Sequence, residues 1–286
     1  MESRILVQTY FMKNILVPVD FSEVSHNAAS FAASLGDHAG DARLILYNMF
    51  ESYVSGSDGS PISDDTADRR AIRLMALNNI KLELQRTAAV SFTTEAEEGV
   101  NLSEKIGGQV KKEAVDLVVM GVTGSSRIQQ IIVGSNALRV SKHAECPVLV
   151  IPPKARFTGF KKILMAVDLD SPTDHLPKEK IESVLSLFPG VELHIAYLNK
   201  QSKGELCADQ EKERVALEKW LAPYSPVFHS IHLHGFVTTI NEFVEQNNID
   251  LLMTVPRKIS YMADLFKHTH TEQLGYRCLV PFIAVH

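Results

Sequence analysis

"KNILVPVD", residues 13–20, returns later in the chain as "KKILMAVD", residues 161–168. In each copy a short, nearly continuous apolar run ends on an aspartate. Such a run suits a parallel strand covered on both faces, because neither face meets water. Two further pieces repeat in the same order: "VDLVVMG" (115–121) as "IDLLMTV" (249–255), and "CPVLVI" (146–151) as "VPFIAV" (280–285). From Asp116 to Pro147 the second copy follows without a gap, from Asp250 to Pro281. Preserved order marks the duplication of a unit of about 140 residues rather than a chance likeness of apolar runs. The join is "PPKARFTGF" (152–160), where prolines and a glycine interrupt every periodicity. Two domains are expected, 12–153 and 160–286.

Working outward from Ile15–Val19, strand and helix patterns alternate. Ser22 is placed to cap a helix whose buried stripe is Ala28, Ala29, Ala32 and Leu35, with Gly36 placed to stop it. Leu44–Met49 reads as a second strand, followed by the polar insert "SGSDGSPISDD" (55–65), which has no counterpart in the second unit. A long helix is expected over Ala67–Arg86, with Ile72, Met75, Leu77, Ile80 and Leu84 near helical spacing. Then come a strand near Ala89–Thr94, a helix near Leu102–Glu113, the strand Leu117–Met120, a helix near Asn136–His143 and the strand Val148–Ile151. Alternating β and α elements imply a parallel sheet with right-handed crossovers, the doubly wound α/β class.

Composition bounds the function. The chain has 286 residues, 45% hydrophobic and 22% charged, with a formal net charge of −5. Nothing is basic enough to attract a polyanion without regard to sequence, so nucleic acid is not an expected partner. No apolar run approaches the ~20 residues of a membrane helix. The start shows no charged-then-apolar leader, and the three cysteines, Cys146, Cys207 and Cys278, are far apart and odd in number. A cytoplasmic protein is expected. Met12 is a plausible start, since the strand pattern begins at Lys13; residues 1–11 read equally as a tag, an upstream start or an added strand.

The chemistry sits in "MGVTGSSRIQQIIVGSN" (120–136), directly after a buried strand. Gly121 and Gly124 are separated by two residues, and nine more intervene before Gly134-Ser135. Glycine can take positive φ and lets backbone N–H groups approach an anion with no Cβ in the way. Gly134-Ser135 stands where a helix begins, and a helix N-terminus offers unpaired N–H donors and a positive partial charge. Ser125, Ser126 and Ser135 add hydroxyls and Arg127 a charge. The stretch is neither a P-loop nor G-x-G-x-x-G. On the glycines alone, a tight strand-to-helix turn and an anion site are equally good readings.

The full spacing resembles the universal stress protein family, whose ATP-binding members carry G-x2-G-x9-G-[ST]; Gly121, Gly124, Gly134 and Ser135 match it completely. "ILVPVDFS" (15–22), "DLVVMG" (116–121) and "CPVLVIP" (146–152) add to the resemblance, which spans the chain as a tandem member. It implies two Rossmann-like domains, each a five-stranded parallel sheet of order 3-2-1-4-5 flanked by helices. It further implies adenine over the ends of the first, second and fourth strands. Asp20 would hold the adenosine end beside Pro18 and Val19. Met49 would offer backbone to the adenine edge, and Met120 would line the pocket. Gly121, Gly124, Ser125, Arg127, Gly134, Ser135 and Asn136 would surround ribose and phosphates. Where the family usually has His-Val, this chain has Asn48-Met49, which leaves a backbone contact intact. The bland alternative for Asp20 is a helix cap or turn former. The implied ligand is ATP or another adenine nucleotide, with Mg²⁺ as an optional companion.

The second unit keeps Asp168 but not the loop. In register, Val255, Lys258, His268 and Thr269 replace Gly121, Gly124, Gly134 and Ser135. Branched Val255 disfavours positive φ, and Pro256 removes a donor, so a filled, non-binding site is expected. "HSIHLHG" (229–235) puts His232 and His234 on one strand face, with His268 and His270 elsewhere. No cysteine or carboxylate stands at ligand spacing, so an exposed edge strand is favoured over a metal site. Trp220 and Cys278 read as packing residues. The closing strands of the two units, both apolar, are expected to pair within the chain, because each would otherwise expose an edge; a further homodimer is open.

The leading functional expectation is a nucleotide-binding regulatory protein with no catalytic residues. The alternatives are a slow ATP hydrolase or nucleotidyl transferase, and an interaction scaffold independent of nucleotide. Gly124→Val should abolish ATP binding, because two methyls would crowd the phosphates and oppose the backbone angles of the loop. Calorimetric titration of the variant checks this; wild-type affinity would show that the loop does not hold the ligand.

Overall fold

The computed structural model describes residues 12–51, 66–122, 134–167, 169, 173–199, 206–232, 236–255 and 280–286. Strand β1 (Asn14–Pro18) is buried from Ile15 onward. The pleat sends Ile15 and Val17 to one face of the sheet and Leu16 to the other. The Ser22 side chain accepts from Ser25 N and starts α1 (Glu23–Ala39), and Gly40, at φ 70°, ends it. Gly36 therefore lies inside the helix rather than at its end. A Cβ there would stand 2.9 Å from Leu44 Cδ1 and 3.2 Å from Val90 Cγ1, so the missing side chain lets α1 lie close to the sheet.

Elements β2 (Arg43–Phe50), α2 (Thr66–Leu84), β3 (Ser91–Glu98), α3 (Leu102–Lys112), β4 (Leu117–Gly121), α4 (Ser135–His143) and β5 (Val148–Ile151) complete the first half. Helix α2 rests on Leu77, Ile80 and Leu84, while Ile72 and Met75, expected in the same stripe, face solvent. Met75 is two residues from Leu77, more than half a turn around a 3.6-residue helix. The second half repeats the plan with β6 (Lys162–Val167), α5 (Lys178–Ser186), β7 (Glu192–Asn199), α6 (Ala208–Leu221), β8 (Val227–His232), α7 (Phe236–Asn247), β9 (Leu251–Thr254) and β10 (Phe282–Ala284). Trp220 on α6 is partly buried, its indole N–H donating to Glu182 at 2.6 Å. The insert 55–65 and Cys278 lie outside the described residues. Among the described residues no helix is long and apolar enough to cross a membrane.

The strands form one sheet in the order β3-β2-β1-β4-β5-β10-β9-β6-β7-β8. Each half thus has the order 3-2-1-4-5 and is parallel throughout. Helices α1, α2, α5 and α6 pack on one face, and α3, α4 and α7 on the other. The duplication extends to atomic detail. Asp116 accepts from Lys13 N (2.8 Å) and Asn14 N (2.9 Å), and Asp250 accepts from Lys161 N (2.8 Å) and Lys162 N (2.9 Å). In each half a carboxylate ahead of the fourth strand takes up the first N–H groups of the central strand and fixes their mutual register.

The halves meet where β10 pairs antiparallel with β5, Phe282 opposite Val150 and Ala284 opposite Val148. This is the expected closure of both edges. On one face the joining segment adds an aromatic cluster: Phe157 lies 5.4 Å from Phe31 of α1 and 5.3 Å from Phe160, and Phe160 lies 4.9 Å from Phe188. Asn27 Nδ2 donates to the carbonyls of Pro152 and Ala155, both at 3.1 Å, and holds the exit from β5. Phe282 and Ile283 are almost wholly buried, and burying side chains of this size stabilises by roughly 1.5–3 kcal/mol each. Deleting residues 278–286 should therefore lower thermal stability and, by baring the edge of β5, cause self-association. A truncated protein that melts at the same temperature and stays monomeric in light scattering would contradict the pairing.

Candidate functional site

Strand β1 stops before its neighbours. Its ladder with β2 ends at Pro18 opposite Tyr47, with one further bond from Val19 N to Tyr47 O (2.8 Å), while β2 continues to Phe50 and β4 to Gly121. The chain then turns through Asp20 and Phe21, the latter at φ 65°. The notch is a cleft of about 250 Å³, close to the ~300 Å³ lower end of small-molecule sites. It lies where the strand order reverses, the usual place for ligands in open α/β sheets.

Pro18, Val19, Asp20, Met49, Met120, Gly121, Gly134, Ser135 and Asn136 line this cleft. Gly124, Ser125 and Arg127 lie outside the described residues. The cleft also brings in Ser25, Tyr47, Leu102, Val122 and Ala137, to which the sequence did not point, and Asn48, which it marked only as the neighbour of Met49.

Three walls define its chemistry. The first is the N-terminus of α4. Gly134 occupies the N-cap at φ −67° without a side-chain cap, and its N–H donates to Val122 O at 2.6 Å. The N–H groups of Ser135, Asn136 and Ala137 find no partner among the described residues. Helices α1 and α3, by contrast, are capped by Ser22 and Asn101. An uncapped helix start offers N–H donors and a positive partial charge to whatever enters the cleft. Asn136 is oriented by Arg139, whose Nη2 donates to its Oδ1 at 2.8 Å.

The second wall is the end of β2. Parallel pairing turns the N–H and C=O of Met49 toward the path β1 would have followed, and among the described residues its N–H has no backbone partner. Asn48 Nδ2 instead takes the Val19 carbonyl at 2.7 Å. Tyr47 is fully buried beneath, its hydroxyl donating to Glu97 at 3.1 Å. Glu97 also receives Lys105 and Gln109. Burial, then the charge of Glu97, pushes the Tyr47 phenol up, so it stays a neutral donor.

The third wall is the β1–α1 turn. Asp20 Oδ1 accepts from Ser22 N (3.0 Å) and Ser22 Oγ (2.6 Å), so the turn-forming reading holds for one carboxylate oxygen. Burial pushes this carboxyl up, but the hydrogen bonds of Ser22 and Ser25 outweigh it and hold the group below its ordinary value. It is a fixed anion on the wall of the cleft.

Gly121 departs from expectation. It is not among the positive-φ residues. Its need for glycine is steric: a Cβ would sit 2.6 Å from Val24 Cγ1 and 3.0 Å from Val24 O, so the bare backbone lets β4 pass under the first turn of α1. In the second half, Val255 packs against the core, while Asp168, Pro256, Lys258, His268, Thr269 and His270 lie outside the described residues. His229 faces His194 of β7, with Nε2 2.9 Å from the His194 Nδ1 and rings stacked 5.1 Å apart. Burial and the neighbouring ring push His229 down. His234 is outside the described residues, and among those described no group of three or more histidines, cysteines or carboxylates is arranged to hold a metal.

Comparison with known proteins agrees with this architecture. The model of the universal stress protein family matches residues 12–152. A universal stress protein of Methanocaldococcus jannaschii is 36% identical over 146 residues, which cover 49% of this chain and 81% of that protein. A putative one of Staphylococcus haemolyticus is 27% identical over 142 residues, 49% of this chain and 84% of that protein. The crystal structure of a universal stress protein from Archaeoglobus fulgidus follows the fold over 97% of both chains, with a TM-score of 0.62 at 17% identity. The chain belongs to the universal stress protein family.

The steric reading of Gly121 is directly testable. Gly121→Ala should destabilise the protein by about 1–3 kcal/mol, the usual range for overpacking, because Val24 can rotate its methyl away but not its carbonyl. Urea denaturation measures it; an unchanged midpoint would mean that β4 and α1 have room to spare.

Proposed function

We propose that the cleft binds an adenine nucleotide, ATP with or without Mg²⁺, and that the protein acts in stress response by a nucleotide-dependent change in conformation or partner binding rather than by catalysis. The observation that carries this reading is the pairing, across one cleft, of the uncapped α4 N-terminus with the unpartnered backbone edge of Met49. The first suits phosphates. The second suits the edge of a heteroaromatic base, with Met120 and Leu102 as apolar walls. Asp20, an anion repelled by phosphate, belongs at the ribose, between the two. Gly124, Ser125 and Arg127 complete the phosphate side in this reading.

The lining is sparse in groups for phosphoryl transfer, which needs charge clamps and a positioned nucleophile. Among the described lining residues Asp20 is the one charged side chain. Burial pushes the Cys146 thiol up to about 12, so it offers no thiolate. Residues 12–153 are the nucleotide domain in this reading, and residues 160–286 a partner domain whose counterpart loop, with Val255, Lys258 and His268, holds no nucleotide. Titration calorimetry with ATP and Mg²⁺ should give one nucleotide per chain with negligible turnover. A stoichiometry of two, or no binding, overturns the assignment; sustained hydrolysis at enzyme-like rates overturns the regulatory reading.

A further inference from the structure

Six large hydrophobic side chains are exposed among the described residues, and three of them stand on α2: Ile72 (63%), Met75 (68%) and Leu82 (58%). Apolar side chains scattered over a surface are ordinary. These three are not scattered. With the exposed Asp68, Asn79 and Arg86 they follow the alternating spacing of four and three that marks the seam of a coiled coil. At about 100° per residue the six positions fall within an arc of about 80°. The residues that α2 buries, Leu77, Ile80 and Leu84, lie on the other side of the helix. Gln85 N still bonds Lys81 O (2.9 Å) and Arg86 N bonds Glu83 O (3.2 Å), so the end of the stripe keeps to the helical path. Helix α2 packs on β2 and β3, and β3 is the outermost strand on its side of the sheet. The stripe therefore looks outward from the margin of the fold.

The stripe is complementary to a reversed copy of itself. A second α2 laid antiparallel, residue 77 level with residue 77, puts position 72 opposite 82, 75 opposite 79 and 68 opposite 86. Ile72 then meets Leu82, and Asp68 meets Arg86 at both ends of the seam. A parallel pair would set Asp68 against Asp68 and Arg86 against Arg86, like charges together. We propose that this stripe is a docking surface for a second copy of this chain, the two α2 helices pairing antiparallel about a twofold axis level with Leu77. A twofold contact uses the same patch on both partners, which is what a self-complementary stripe supplies. The seam is about 27 Å long at 1.5 Å per residue, and Asn79 takes an apolar place at a cost in stability. A reversible dimer with Kd on the order of 10 μM is expected for so small a contact. It uses no residue of the β5–β10 pairing or of the cleft lining, and it stands whatever the cleft binds.

Sedimentation equilibrium of the full chain over about 1–200 μM, a range bracketing that Kd, tests the proposal. The mass should climb from 31.8 kDa toward twice that value. Ile72→Lys and Leu82→Glu, both at exposed sites away from the core, should each raise Kd by about ten-fold or more, because each puts unpaired charges into apolar contact. Mixed in equal amounts, the two variants should associate more tightly than either alone, by about five-fold or more. In the mixed pair the introduced lysine of one copy meets the introduced glutamate of the other, while the unaltered Leu82 and Ile72 meet as before. A protein that stays at 31.8 kDa throughout overturns the proposal. So do single variants that dimerise like the unaltered chain, which would place the contact elsewhere, and a mixture no tighter than its components, which would refute the antiparallel register.

Discussion

Strand β1 is shorter at its carboxyl end than the two strands it lies between, and the first half is organised around that shortfall. Backbone groups on the flanking strands normally find partners in the next strand, and an unmet one in an apolar setting is costly. Here the turn through Asp20 and Phe21 carries the chain away one rung too early for Met49. Asn48 repairs half of the damage by taking the Val19 carbonyl. The rest stays open, and the uncapped start of α4 stands on the same opening. A non-glycine residue in the left-handed region at Phe21 is the sort of local strain that persists only where the surroundings hold it.

Much of this was written locally. Apolar runs bounded by turn residues announced the strands, Ser22 announced α1, and the two aspartates Asp116 and Asp250 fell in the repeat itself. What escaped was decided by distance rather than by sequence neighbours. Either Gly36 or Gly40 could have ended α1; the closeness of Leu44 and Val90 made the first a packing glycine and left the second to stop the helix. Spacing alone does not distinguish a glycine needed for positive φ from one needed for close approach, and Gly121 proved to be the latter. Tyr47 was passed over, and Asn48 was noted only as a departure from the family's usual residue, because nothing in "LYNMF" tells where the strand beside it ends. Ile72 and Met75 look like core in a helical pattern whose true stripe lies on Leu77, Ile80 and Leu84.

The junction between the halves explains how a duplicated unit can carry unequal copies. Each copy keeps the groups that build the sheet, including the carboxylate that sets the register of its central strand. The β5–β10 pairing, the Phe31–Phe157–Phe160–Phe188 cluster and the Asn27 clamp on the joining segment all depend on residues away from the cleft. The residues that join the halves are thus distinct from those that line the cleft. The second copy can replace Gly121 by Val255, which packs into the core, without loosening its hold on the first.

The antiparallel seam between β5 and β10 also has a directional consequence. Every other pairing in the sheet is parallel, so crossing the seam reverses the heading of all five strands. The carboxyl ends of the first half point toward one pole of the molecule, and those of the second half toward the other. A visitor at the first crevice is remote from the corresponding rim of its sister unit. The two rims share no mouth; what joins the halves is the β5–β10 seam and the aromatic cluster beside it.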